Sequence, residues 1–187
     1  LGIVPRVASW RDEAASHLET RANPRSAASE SYRTLLTSLD FLSIDHPQRL
    51  IQITSASPGE GKTTTAANLA VAFADAGRRT VIVCCDLRRP RLHRFFDVSA
   101  DPGFTSVLLG SHDLDEATVA APGTPGLHVL AAGPMPANPA ELLRGTRSRD
   151  LLKRLRAEYD VVILDSPPVL PVADALVLAG EVDATLV

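Results

Sequence analysis

No run of apolar residues approaches the roughly 18 uninterrupted positions that a membrane-spanning helix needs. The opening LGIVPRVASW also lacks the basic stretch and apolar run of a secretory signal, so the chain as given reads as soluble. Cysteine is scarce: Cys84 and Cys85 stand side by side at the end of an apolar segment, an arrangement that suits a reduced interior better than a disulfide or a metal centre. No Cys or His cluster completes a ligand set around them, and His93, His112 and His128 have no metal-like spacing. A large excess of charge of one sign is missing too. With Lys+Arg 19 against Asp+Glu 22, the formal net charge of −3 gives no electrostatic case for nucleic acid or an anionic surface. No internal repeat divides the 187 residues, 45% of them hydrophobic, which is enough for one domain with a sizeable core.

What the chain does have is SASPGEGKTTT, from Ser55 to Thr65, between the apolar run Leu50-Ile51-Gln52-Ile53 and the helical pattern AANLAVAFADAG. Strand, glycine-rich loop and helix in that order make a phosphate cradle: Gly59 and Gly61 let backbone N–H groups turn inward, and the helix beginning near Lys62 adds its positive end. The expected ligand is a nucleoside triphosphate, ATP with Mg2+, cradled by Pro58, Gly59, Glu60, Gly61, Lys62, Thr63 and Thr64. Lys62 is expected to reach the β and γ phosphates and the Thr63 hydroxyl to ligate the metal. The usual motif, GxxxxGK followed by Ser or Thr, has Ala56 at its first position here, while Gly59 and Gly61 remain.

Residues 1–25, with Pro5, Pro24 and scattered charges, read as a connecting segment, and 26–187 as one P-loop domain. A helix is expected from Ser26 to Leu42 with Leu35, Leu36, Leu39 and Leu42 on its buried face. Strands are expected at Leu50 to Thr54, Thr80 to Cys85, Leu127 to Leu130 and Asp160 to Leu164, with a last one begun at Ala184. Helices follow at Thr63 to Ala76, stopped by Gly77, at Pro139 to Leu143, Ser148 to Glu158 and Val172 to Ala179. Arg88 to Gly126, interrupted by prolines, reads as irregular surface over the phosphate site with short helices near Phe104 to Leu109 and Leu114 to Val119. The alternation implies a three-layer α/β fold of the P-loop NTPase type: a mainly parallel sheet, helices on both faces, and ligands at the carboxyl ends of the strands. The absence of an initial Met and the ending inside an apparent strand lead us to expect a piece of a longer protein.

A phosphate cradle does not say what becomes of the phosphate; carboxylates at neighbouring strand ends do. Asp165 follows Val161-Val162-Ile163-Leu164, the Walker B arrangement, and Asp86 follows Val81-Ile82-Val83-Cys84-Cys85. Either could merely cap a turn. Together with the loop they read as magnesium partners alongside Thr63.

The block VIVCCDLRRP resembles the second acidic motif of the bacterial tyrosine kinases, D-x-D-x-R, with Asp86 and Arg88 matching its second Asp and its Arg. VVILDSPP resembles their Walker B, ESYRTLL at Glu30 to Leu36 their E-x-x-R-x-x-R helix, and LGIVPR, NPAELL and PVADA echo the family in order along the chain. The resemblance implies an autokinase domain on the cytoplasmic face of the bacterial inner membrane. It would be fused to, or activated by, a transmembrane polysaccharide co-polymerase of capsule or exopolysaccharide assembly, and would transfer the γ phosphate of ATP to tyrosines at its own C-terminus. It further implies Lys62, Asp86, Asp165 and Arg88 as catalytic residues, Asp86 being the base, and a homo-oligomeric ring through Glu30 and Arg33. Cys84 replaces the first Asp of the acidic motif, Leu36 replaces the second Arg of the helix motif, and the two tyrosines, Tyr32 and Tyr159, read as packing residues. The alternatives are an ATPase switch of the partitioning and cell-division type, whose loop carries a lysine where Ser57 stands, and a non-catalytic nucleotide sensor that sets polysaccharide chain length.

Overall fold

The most apolar short runs of the chain build its sheet. In the computed structural model, which describes residues 2–5, 7, 17–42 and 48–187, the strands are β1 (Leu50–Ile53), β2 (Thr80–Cys84), β3 (Thr118–Ala120), β4 (Leu127–Leu130), β5 (Val161–Asp165) and β6 (Ala184–Leu186). They lie in the order β3-β4-β2-β5-β1-β6, every neighbouring pair parallel except β3 with β4. Every residue of β1, β2 and β5 is buried, which is why these strands read as continuous apolar runs without alternation.

The helices are α1 (Glu19–Ala22), α2 (Ala27–Leu42), α3 (Lys62–Asp75), α4 (Leu92–Phe96), α5 (Phe104–Leu109), α6 (Leu114–Ala117), α7 (Pro139–Arg144), α8 (Thr146–Glu158) and α9 (Asp174–Ala179). The alternating pattern thus yields the expected mostly parallel α/β architecture. Helix α3 is buried from Ala66 to Ala74, because the sheet lies under it while α1 and α2 cover its outer side. Its alanines allow that close approach, and Leu69 and Phe73 fill the layer between. Helix α2 starts where Ser26 accepts the Ser29 N–H at 3.2 Å, and it buries Tyr32, Leu35 and Leu39. Leu36 is half-buried against the core, whereas Leu42, expected on the buried face, is exposed.

Part of the segment read as a connection is bolted to α3. Asn68 accepts the Thr20 N–H at 2.9 Å and the Thr20 hydroxyl at 3.0 Å, and donates to the carbonyls of His17 and Thr64, each at 2.8 Å. Residues 8–16 of that segment lie outside the described residues, as do 43–47.

The stretch after Arg88 differs from its reading as irregular surface. It contains α4, and Leu92, Phe96, Phe104, Leu108 and Leu114 are core residues. Val119 is not helical: α6 ends at Ala117, and the chain then extends as β3 to pair antiparallel with β4 at the sheet edge. Tertiary pairing decides so short an element, not local propensity. Among the described residues no helix is long and apolar enough to cross a membrane.

Candidate nucleotide-binding site

The loop between β1 and α3 turns through two left-handed glycines, Gly59 at φ 83° and Gly61 at φ 86°, where a side chain would strain the backbone. Gly61 is the N-cap of the 14-residue α3, and it offers no side chain to the helix's first N–H groups, leaving them for an anion. Pro58 and Glu60 lie exposed on this loop. The Glu60 carboxylate accepts the Ser57 N–H at 2.9 Å and so closes the loop on itself. Thr64 is half-buried, its carbonyl held by Asn68.

Two acidic strand ends meet the start of α3. Asp165 ends β5 beside Ile53 of β1 and Cys84 of β2, and its Oδ1 accepts the Thr63 hydroxyl at 3.1 Å. Asp86 lies just beyond β2, with Oδ2 3.4 Å from Lys62 Nζ and Oδ1 accepting the Arg89 N–H at 3.0 Å. The Asp165 carbonyl accepts the N–H groups of Cys85 at 2.8 Å and Asp86 at 3.0 Å, tying the second acidic residue to the first. Lys62, Thr63, Asp86 and Asp165 are therefore gathered in one place.

Burial pushes the Asp165 carboxyl up to about 7, against the pull of the Lys62 ammonium and the Thr63 hydroxyl and with a further push from Asp86. Its Oδ2 is buried and has no hydrogen-bond partner among the described residues. An orphaned carboxylate oxygen beside a hydroxyl and a second carboxylate fits a hard divalent cation, which would relieve all three. Among the described residues no three His, Cys, Asp or Glu side chains form a cage. The oxygen donors of Thr63, Asp86 and Asp165 suit Mg2+, which keeps waters and phosphate oxygens in its shell.

Arg88 is engaged elsewhere than on the loop. Its Nε and Nη2 donate to the two oxygens of Asp174 at 2.8 and 3.1 Å, and Asp174 is wholly buried. Asp174 carried no assignment in the sequence reading. Its one signal was the carboxylate in PVADA, at the start of an apolar helix, where a charge needs a partner.

Cys84 stands beside Asp165 in register, fully buried. Burial, with Asp165 adding to it, pushes its thiol well above the ordinary range, so it stays neutral where the family motif has a carboxylate. Cys84→Asp is expected to tighten Mg2+ binding about tenfold to a hundredfold and to destabilise the metal-free fold, because a third buried carboxylate then lacks a counter-charge. Titration of Mg2+ by calorimetry and a melting curve in chelator check both halves.

Tyr32 packs in the core, and burial pushes its hydroxyl up to about 12. Tyr159 is half-buried with its ring edge-on to His128, centroids 5.5 Å apart. Glu30 and Arg33 pair at 2.9 Å on the exposed face of α2.

The family model described as "AAA domain" matches residues 48–182. Tyrosine-protein kinase YwqD of Bacillus subtilis (strain 168) is 45% identical over 163 residues, covering 87% of this chain and 68% of that protein. The chain belongs to the bacterial tyrosine-kinase family. Another family member, tyrosine-protein kinase etk of Escherichia coli (strain K12), is 37% identical over 164 residues, 88% of this chain but 22% of its own length. The solved kinase domain of Escherichia coli ETK superposes with a TM-score of 0.86 at 33% identity, over 96% of this chain and 70% of that one. The septum site-determining protein MinD with Mg-ADP, from Pyrococcus horikoshii OT3, gives 0.63 at 26% identity, over 73% and 56%. The bacterial tyrosine-kinase fold thus accounts for nearly the whole chain, and the switch ATPase fold for less of it.

Proposed function

We propose that this chain is the ATP-dependent protein-tyrosine kinase domain of a bacterial system for capsule or exopolysaccharide assembly. The convergence of Lys62 with Asp86, and of Thr63 with Asp165, at the mouth of a phosphate loop carries the reading. The first N–H groups of α3 hold the β and γ phosphates of ATP, and Lys62 leaves Asp86 to meet the γ phosphate. A tyrosine hydroxyl, ordinarily about 10 in pKa, is a weak nucleophile at neutral pH and gives its proton to the freed Asp86 carboxylate as its oxygen bonds the γ phosphorus. The bond from that phosphorus to the bridging oxygen breaks, and ADP leaves with the electron pair. Mg2+, held by Thr63, Asp165 and Asp86, would supply neutralisation of the phosphate oxygens.

The acceptors in this reading are tyrosines outside residues 1–187, since Tyr32 is sealed in the core and Tyr159 packs against it with its ring on His128. A transmembrane co-polymerase or activator, in the same polypeptide or another, places the domain at the cytoplasmic face of the inner membrane. Glu30 and Arg33 are the ring contacts we assign; Leu36 leans on its own core instead. A partitioning-type switch is not favoured, because Ser57 stands where its cross-dimer lysine would be and the MinD superposition is the weaker one.

Asp86→Asn is expected to lower tyrosine phosphorylation about a hundredfold to ten-thousandfold while ATP binding stays within a few-fold. Phosphotyrosine blotting beside a nucleotide titration reads both. Unchanged phosphorylation would remove Asp86 from its role, and ATP binding without phosphotyrosine in either protein would favour the nucleotide sensor.

A further inference from the structure

We infer that Asp174 is a positioning residue of the phosphoryl-transfer site: through the guanidinium of Arg88 it fixes the loop that carries Asp86. Its kinetic consequence rests on the kinase reading; its structural consequence does not.

A carboxylate with no exposure is costly unless paired, and Asp174 finds its pairing in the two-pronged grip of Arg88. Arg88 lies two residues beyond Asp86, and the next residue, Arg89, donates the N–H that orients Asp86 Oδ1. Leu87, buried between them, plugs the same loop into the core. The loop is therefore held from three sides: by the Asp165 carbonyl on the Cys85 and Asp86 N–H groups, by the Leu87 side chain, and by Asp174 on Arg88.

The other end of the clamp is rigid. Asp174 opens α9, and the carbonyl of the next residue, Ala175, accepts Gln52 Nε2 at 2.8 Å. Gln52, in the middle of β1, also donates to the Ser166 hydroxyl at 2.9 Å and accepts the Thr185 hydroxyl of β6 at 3.1 Å. Ser166 in turn donates to the Ile53 carbonyl at 3.0 Å, beside the phosphate loop. With buried Gln52 and Ser166 both fully engaged, the start of α9 holds one geometry, so Asp174 presents its carboxylate to Arg88 from a fixed place. A Lys at 88 would keep the charge but lose the planar fork.

Two variants in the full-length protein test the inference, Asp174→Asn and Arg88→Lys. The first keeps the shape of the carboxylate without its charge, and the second keeps the cation without the bidentate grip. Hydrogen exchange is expected to speed up about tenfold or more at the amides of residues 86–89 in both variants, while β1 and β5 keep their protection. The tyrosine-phosphorylation kcat is expected to fall about tenfold to a hundredfold, with ATP affinity within about twofold of the parent. Acceleration spread evenly over the sheet, or none at 86–89, would overturn the inference, and so would an unchanged kcat beside a loosened loop. If the parent makes no phosphotyrosine, the kinase reading fails while the exchange experiment still decides whether Asp174 holds the loop.

Discussion

Asp165→Asn is expected to make the nucleotide-free protein more stable at about pH 8 while reducing phosphoryl transfer about a hundredfold or more. The two effects share one cause. The folded-state carboxyl is raised from the ordinary 3.8 to about 7, so between those values the folded chain keeps a proton that the unfolded chain has lost. Stability therefore falls as pH rises through that window, and the cost is fully present above the folded value, at an upper bound of about 4 kcal/mol. Asparagine cannot ionise, so the variant's melting temperature should lose that slope and exceed the parent's at the alkaline end. Some of the gain will be offset, because Lys62 and Thr63 favour the charged form that is removed. Thermal melts in chelator across the range are the check. A variant that melts below the parent at about pH 8, or that keeps the parent's slope, contradicts the assignment of Asp165 as a carboxyl raised by burial.

Lys62→Met is expected to lower kcat by about a hundredfold to a thousandfold, the usual cost of removing a donor aimed at developing charge. It should also weaken nucleotide binding, since the β and γ phosphates lose their cationic partner. The nucleotide-free state responds as well. Lys62 and Asp86 are both nearly buried and 3.4 Å apart, so the methionine takes from a buried carboxylate its ion-pair partner, a loss of about 1–3 kcal/mol. Lys62 is also the strongest influence holding down the Asp165 carboxyl, which should titrate higher in the variant. Steady-state phosphorylation and denaturant melts measure these effects; a variant with the parent's kcat would remove Lys62 from the transfer step.

The parts of this fold that could be read from sequence are those governed by local rules. The phosphate loop needs glycine at two left-handed positions and a helix directly after, and both requirements are local. The central strands could be read because burial on both faces demands unbroken apolar runs. Strand β3 and helix α4 could not: each is too short for periodicity, and each forms because a distant partner is there to receive it. Leu42 fits the helical spacing yet faces solvent. Asp86 and Asp165 were legible from the apolar runs before them, but the role of Asp174 needs Arg88, 86 residues away, to give it meaning. Cys84 was legible as a departure; its neutrality follows only from register with Asp165 and burial in β2.

The measurement that bears most directly on the central claim uses the full-length protein with Mg2+ and ATP labelled at the γ phosphate, followed by acid hydrolysis and identification of the labelled product. A tyrosine kinase working with Asp86 and a neutral Cys84 leaves label on phosphotyrosine, and Asp86→Asn removes it. Label released solely as inorganic phosphate, at a rate the Asp86→Asn protein matches, would contradict it.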